Sequence, residues 1–77
     1  MPHVVVKMWA GKTEAQKQAL AEAMVQALKS AVGSSDSSIS VAIEDVAPEQ
    51  WMQQVYEPEI APRLESLYKK PGYGPSA

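Results

Sequence analysis

Cysteine is absent from these 77 residues, and histidine occurs once, as His3. The first absence excludes a disulfide framework, a Cys-ligated zinc or iron–sulfur site, and a thiol nucleophile. No His/Cys/Asp/Glu spacing suits a metal, so none is expected. Cationic side chains are also few, with seven Lys/Arg against nine Asp/Glu and a net charge of −2. That balance argues against a nucleic acid or an anionic membrane as partner. No apolar run reaches the roughly 18 residues of a membrane span, because Glu22 and Gln26 interrupt the longest stretch. The start, MPHVVVK, has no leading basic stretch of a secretory signal, and a cytoplasmic protein is the expectation. An enzyme with this composition must find its acid–base chemistry largely outside imidazole and thiol.

Residues 3–9 (HVVVKMW) read as a strand, since consecutive valines are β-branched and stiff at χ1. The run is more apolar than strict alternation gives, which predicts burial on both faces. Ala10-Gly11-Lys12 makes a short connection. Thr13 and Gln16 then form a capping box, with Glu14 in the first turn where the helix dipole favours an anion. Ala19, Leu20, Ala23, Met24, Ala27, Leu28, Ala31 and Val32 recur at three- and four-residue spacing. They predict a helix over 14–32, ended by Gly33 at C′. After the polar loop of residues 34–38, residues 39–44 place apolar side chains at odd positions, as a half-buried strand does. Strand, helix and strand make a βαβ unit with parallel strands.

Downstream, Pro48 suits the first position of a short helix containing Trp51, Met52 and Val55. Pro58 and Pro62 punctuate a second helical stretch with Ile60, Leu64, Leu67 and Tyr68. Residues 1–77 are read as one α/β (α+β) domain. It comprises a βαβ unit over 2–46, short helical segments over 47–68 and an extended tail over 69–77. Two parallel strands and one helix leave both sheet edges and one sheet face open, which is not a stable arrangement alone. A second copy completing the sheet is the simplest resolution. The alternative is residues 48–70 folding back over the bare face.

Among residues that could carry chemistry, Pro2 is the most unusual. Initiator methionine is commonly removed before a small residue, and removal would leave a secondary amine at the head of a strand. An α-amino group titrates near pH 7.7–8.0, and desolvation beside a cation lowers that value. A neutral amine at pH 7 is a general base. Met-Pro is also a common and inert start. Lys12, between strand and helix, can pair with a carboxylate or an enolate oxygen, or simply be solvated. Trp51 suits either a core or a pocket wall. His3 falls on the strand face opposite Pro2 and Val4. Ser37 and Ser40 have no base partner for a Ser–His–Asp arrangement. Glu44 and Asp45 are adjacent and face opposite ways.

Together these features resemble the tautomerase superfamily, whose small members are typified by 4-oxalocrotonate tautomerase. The carriers are Met1-Pro2 before a strand, Gly11-Lys12 opening a helix, and a second strand after a polar loop. The resemblance is closer to the phenylpyruvate-type, PptA-like branch. It rests there on Asp36-Ser37-Ser38-Ile39-Ser40, Pro48-Glu49 with Trp51, Glu59-Ile60-Ala61-Pro62, and Lys69-Lys70-Pro71-Gly72-Tyr73.

The resemblance implies cofactor-independent isomerisation of enol and keto forms of 2-oxo acids, with Pro2 as the proton shuttle. It implies a substrate-binding role for Lys12 where larger-oligomer members carry arginine. Lysine keeps the charge and loses the bidentate fork. A second family arginine falls on Ser40, and an aromatic pocket position falls on Trp51. One cation in place of two favours a monocarboxylate with an apolar tail, such as phenylpyruvate enol. The branch implies a homodimer, with a hexamer as the alternative. Two other readings remain from the residues. One is a Pro2-dependent hydratase or dehalogenase, for which no carboxylate has a clear claim to activate water. The other is a non-enzymatic homo-oligomeric binding module.

Overall fold

A computed structural model describes residues 1–75 and divides the chain into two compact units, Met1–Val46 and the segment beginning at Ala47. The first unit is βαβ: β1 (His3–Trp9), α1 (Glu14–Val32) and β2 (Ser40–Val46), with β1 and β2 paired in parallel. The register runs from His3 opposite Ser40 to Trp9 opposite Val46. Beyond both ends the ladder is extended by Ser40 N–H to the Pro2 carbonyl (3.2 Å) and Ala10 N–H to the Val46 carbonyl (2.9 Å).

Helix α1 begins as its sequence predicts. Thr13 Oγ1 accepts the Gln16 backbone N–H at 3.1 Å, and Gln16 Oε1 accepts the Thr13 N–H at 2.9 Å. Two of the orphan amides of a helix start are thereby satisfied reciprocally. The helix ends at Gly33, whose φ of 70° is a left-handed conformation that a side chain would strain. Which face turns inward differs from the expectation. Lys17, Leu20, Ala21, Met24, Val25 and Leu28 are half-buried, whereas Ala19, Ala23, Ala27, Ala31 and Val32 are exposed. Alanines have little area to bury, so the larger Leu, Met and Val side chains set the rotation of the helix.

Alternation along the paired strands gives the sheet two unlike faces. Val4, Val6 and Met8, with Val41, Ile43 and Asp45, share one face, and α1 packs on β2 there. His3, Val5, Lys7 and Trp9, with Ser40, Ala42, Glu44 and Val46, share the other. Val5 is 44% exposed and Trp9 58%, so the expected burial of the first strand on both faces is not met within one chain.

The second strand runs two residues further than expected and starts one later. Ile39 is held in a 3-10 turn, donating to the Asp36 carbonyl at 3.2 Å. Asp45 stays in the ladder while its side chain takes Lys17 from α1 at 2.6 Å.

The second unit departs more from the sequence pattern. Pro48–Gln50 is a 3-10 turn with proline at its start, and Met52–Ile60 is a π-helix that contains Pro58 rather than stopping before it. The Ala61 N–H reaches back five residues to the Tyr56 carbonyl. In an α-helix the proline ring would collide with the carbonyl four residues earlier; the wider π turn makes room for it. Ala61–Ser66 is a 3-10 segment kinked at Arg63 (φ −120°, ψ 17°). Leu67 is already extended and Tyr68 is fully exposed, so the second helical stretch ends before both. Residues 67–75 carry no helix or strand, and residues 76 and 77 of the expected tail lie outside the described residues. Among the described residues of this unit, Val55 and Tyr56 are buried.

The Lys17–Asp45 contact has a pH signature. The hydrogen bond that Lys17 donates to Asp45 raises the lysine above its ordinary value, opposed by desolvation and aided by the charges of Asp45 and Glu14. A raised lysine contributes stability that is complete below the unfolded-state value, about pH 10, and is lost as pH rises through the folded value. Urea unfolding of the protein and of Lys17→Met should therefore differ by a constant amount from pH 7 to 9. The gap should shrink at higher pH; a gap indifferent to alkaline pH would contradict this assignment.

Candidate functional site

Parallel pairing gathers three of the residues singled out above at one end of the first unit. Pro2 is half-buried immediately before β1, and its carbonyl is fixed by the Ser40 amide at 3.2 Å. Ser40 opens β2 opposite His3, and its Oγ lies 2.6 Å from His3 Nδ1. The sole imidazole is thus a hydrogen-bond partner of Ser40, one residue from Pro2. The strand pattern of residues 3–9 places His3 on β1, whereas this pairing joins residues 37 positions apart and has no local signal. The cross-strand register, which puts His3 beside Ser40, is the signal that reveals it.

Lys12 is not part of that cluster. It is exposed and follows the far end of β1, just before the Thr13 cap. At about 3.3 Å per strand residue, β1 separates the Pro2 and Lys12 ends by roughly 20 Å. A lysine side chain does not bridge that span.

Trp51 belongs to the second unit. Its backbone is fixed between the 3-10 turn and the π-helix, donating to the Pro48 carbonyl, and its ring is half-buried. The indole Nε1–H donates to the Tyr73 hydroxyl at 2.8 Å. Tyr73 also packs on Tyr56, with ring centroids 5.7 Å apart and planes tilted by 51°. Neither tyrosine was anticipated as a neighbour of Trp51, because the tail offers no periodicity from which to read a contact.

Among the described residues, no group of three or more His, Cys, Asp or Glu side chains could hold a metal ion, and no helix is long and apolar enough to cross a membrane. The carboxylates of the first unit that flank α1 are engaged: Asp45 with Lys17, and Asp36 with Lys29 at 3.7 Å.

Residues 2–58 match the family model described as tautomerase enzyme. The chain belongs to the tautomerase family. A probable tautomerase of Xylella fastidiosa is 45% identical over 74 residues, covering 96% of this chain and 90% of that protein. Tautomerase PptA of Cronobacter sakazakii is 46% identical over 74 residues, covering 95% and 97%. Among solved structures, the 4-oxalocrotonate tautomerase homologue YwhB superposes with a TM-score of 0.58 at 41% identity, over 60% of this chain and 75% of that one. TomN, a 4-oxalocrotonate tautomerase homologue of the tomaymycin biosynthetic pathway, gives a TM-score of 0.63 at 28% identity, over 65% and 77%.

This tautomerase is therefore an isomerase with the βαβ fold of its family. Tautomerisation needs one group that removes a proton from oxygen or carbon and returns it at the other atom. The Pro2 end supplies a candidate nitrogen, the Ser40 hydroxyl and the His3 imidazole.

Proposed function

We propose that this tautomerase interconverts the enol and keto forms of 2-oxo acids with an apolar tail, phenylpyruvate being the model, through the Pro2 nitrogen. The observation that carries the reading is the fixed position of Pro2, half-buried at the head of β1 with its carbonyl in the ladder. With Met1 removed, the nitrogen is a secondary amine. Neutral, it takes the proton of the enol oxygen; the resulting ammonium protonates the enol carbon as the C=O forms. The amine returns to its starting state, and substrate and product differ only in the proton's place. With Met1 attached, the same nitrogen is a tertiary amide without a basic lone pair.

Lys12 is the proposed carboxylate partner, Ser40 a hydrogen-bond partner for the substrate, and Trp51 an apolar wall. Because Lys12 stands at the opposite end of β1 from Pro2, the lysine serving a given Pro2 comes from a second copy of the chain. Val5 and Trp9, 44% and 58% exposed on the sheet face opposite α1, are apolar surface for such a copy to bury. We take the assembly to be a homodimer, a hexamer being the alternative. Hydration or dehalogenation is less well supported, since Asp36 and Asp45 are both paired with lysines.

Pro2→Ala, with Met1 removed, should lose about 10²-fold in kcat/KM for enol ketonisation, the scale of general acid–base catalysis. Full activity in that variant would end the proton-shuttle reading. Lys12→Ala should raise KM more than it lowers kcat, and unchanged constants would remove Lys12 from the site. Mixing the two variants under exchange should restore activity, because a hybrid holds one site with both native residues. If no mixture exceeds its parents, the shared-site geometry is wrong.

A further inference from the structure

The segment after Ser66 has neither helix nor strand, yet three contacts tie it to one place in the second unit. The Tyr73 hydroxyl accepts the Trp51 indole N–H at 2.8 Å. The Tyr73 ring packs against Tyr56, which is 3% exposed. Gly74, at φ 96°, lies flat on the same phenol: a Cβ there would stand 2.6 Å from Cε2, Cζ and the hydroxyl of Tyr56. No side chain fits that gap, and the backbone conformation is itself one that L residues rarely adopt. Tyr56 thus forms a buried floor, Gly74 clamps the chain onto it, and the clamp delivers Tyr73 to Trp51.

Trp51 needs such a partner. Its backbone is held by the Pro48 carbonyl, but that leaves the ring free to choose among rotamer wells. The single N–H of the indole selects one well when it has an acceptor, and a half-buried donor without one is penalised. Tyr73 is the acceptor, and at 43% exposure its own ring is not a core element of the unit.

We propose that Tyr73 is a positioning residue of the tautomerase site: it fixes the Trp51 ring as a pocket wall and so sets the affinity for substrates with an apolar tail. The inference rests on the reading that Trp51 contacts substrate. It adds that the segment from Lys69 to Pro75 acts on binding through that one hydrogen bond, while the proton transfer is untouched.

The test is a double-mutant cycle on the full-length, Met1-trimmed protein, with phenylpyruvate enol as probe. Tyr73→Phe keeps the ring on Tyr56 and removes only the acceptor. It should raise KM roughly three- to tenfold, the range for one hydrogen bond, with kcat changing less than twofold. In a Trp51→Phe background, which has no indole N–H, Tyr73→Phe should add nothing further. Gly74→Ala, which lifts the clamp, should reproduce the KM change of Tyr73→Phe.

If Trp51→Phe raises KM and Tyr73→Phe does not, the positioning role falls and the Trp51 reading stands. A Tyr73→Phe effect of equal size in both backgrounds would also overturn it, since Tyr73 would then act independently of Trp51. If Trp51→Phe itself leaves KM unchanged, the reading of Trp51 as a substrate contact fails, and the positioning role with it.

Discussion

The parallel pairing of β1 with β2 decides where everything else can be. It brings Pro2 and His3 level with Ser40 at one end of the sheet and sends the chain off toward Lys12 at the other. A parallel connection needs a crossover, and α1 supplies it on one face only. The opposite face is left with Val5 and Trp9 half in solvent. Two consequences follow from one ladder: the proposed proton-transfer end and Lys12 stand apart, and Val5 and Trp9 are left as exposed apolar surface. In the proposed assembly a second copy of the chain answers both, burying that surface and bringing a Lys12 to the Pro2 end. In the proposed assembly, packing and catalysis are therefore one requirement.

The Pro2 end itself is sparse. It offers a main-chain nitrogen, the Ser40 hydroxyl and the His3 imidazole 2.6 Å from that hydroxyl. Such a set suits an isomerisation, in which the proton leaves and returns and no group is transferred. The resemblance to the tautomerases assigned cationic roles near Lys12 and Ser40, and this chain has a lysine and a serine there. In the proposed site there is less charge to hold a carboxylate, and more of the binding would fall to apolar contact. That is why the orientation of Trp51, and of the Tyr73 hydroxyl that receives its N–H, matters to the proposed substrate class.

Elements governed by local chemistry were legible in the sequence. Valine stiffness marked β1, the Thr13–Gln16 capping box started α1, and Gly33 ended it at a positive φ. Family membership was legible from short motifs spread along the whole chain. What depended on packing was not. The inward face of α1 follows Leu20, Met24, Val25 and Leu28, because the alanines that shared the periodicity bury too little to compete. Pro58 punctuates the pattern in the sequence and is carried inside a widened helical turn in the structure. The contacts of His3 with Ser40 and of Trp51 with Tyr73 join residues 37 and 22 positions apart, beyond any local pattern.

Composition credits this chain with one imidazole and no thiol, and the proposed base is a nitrogen that composition does not count. The most direct measurement compares two forms of the same sequence, one beginning at Pro2 and one retaining Met1, each verified by intact mass. Both are assayed for ketonisation of phenylpyruvate enol at equal concentration and equal oligomeric state. Catalysis is expected from the form beginning at Pro2 and only the uncatalysed rate from the form that keeps Met1. Equal rates from the two forms would contradict it, because the Pro2 nitrogen of the second is an amide that cannot take a proton.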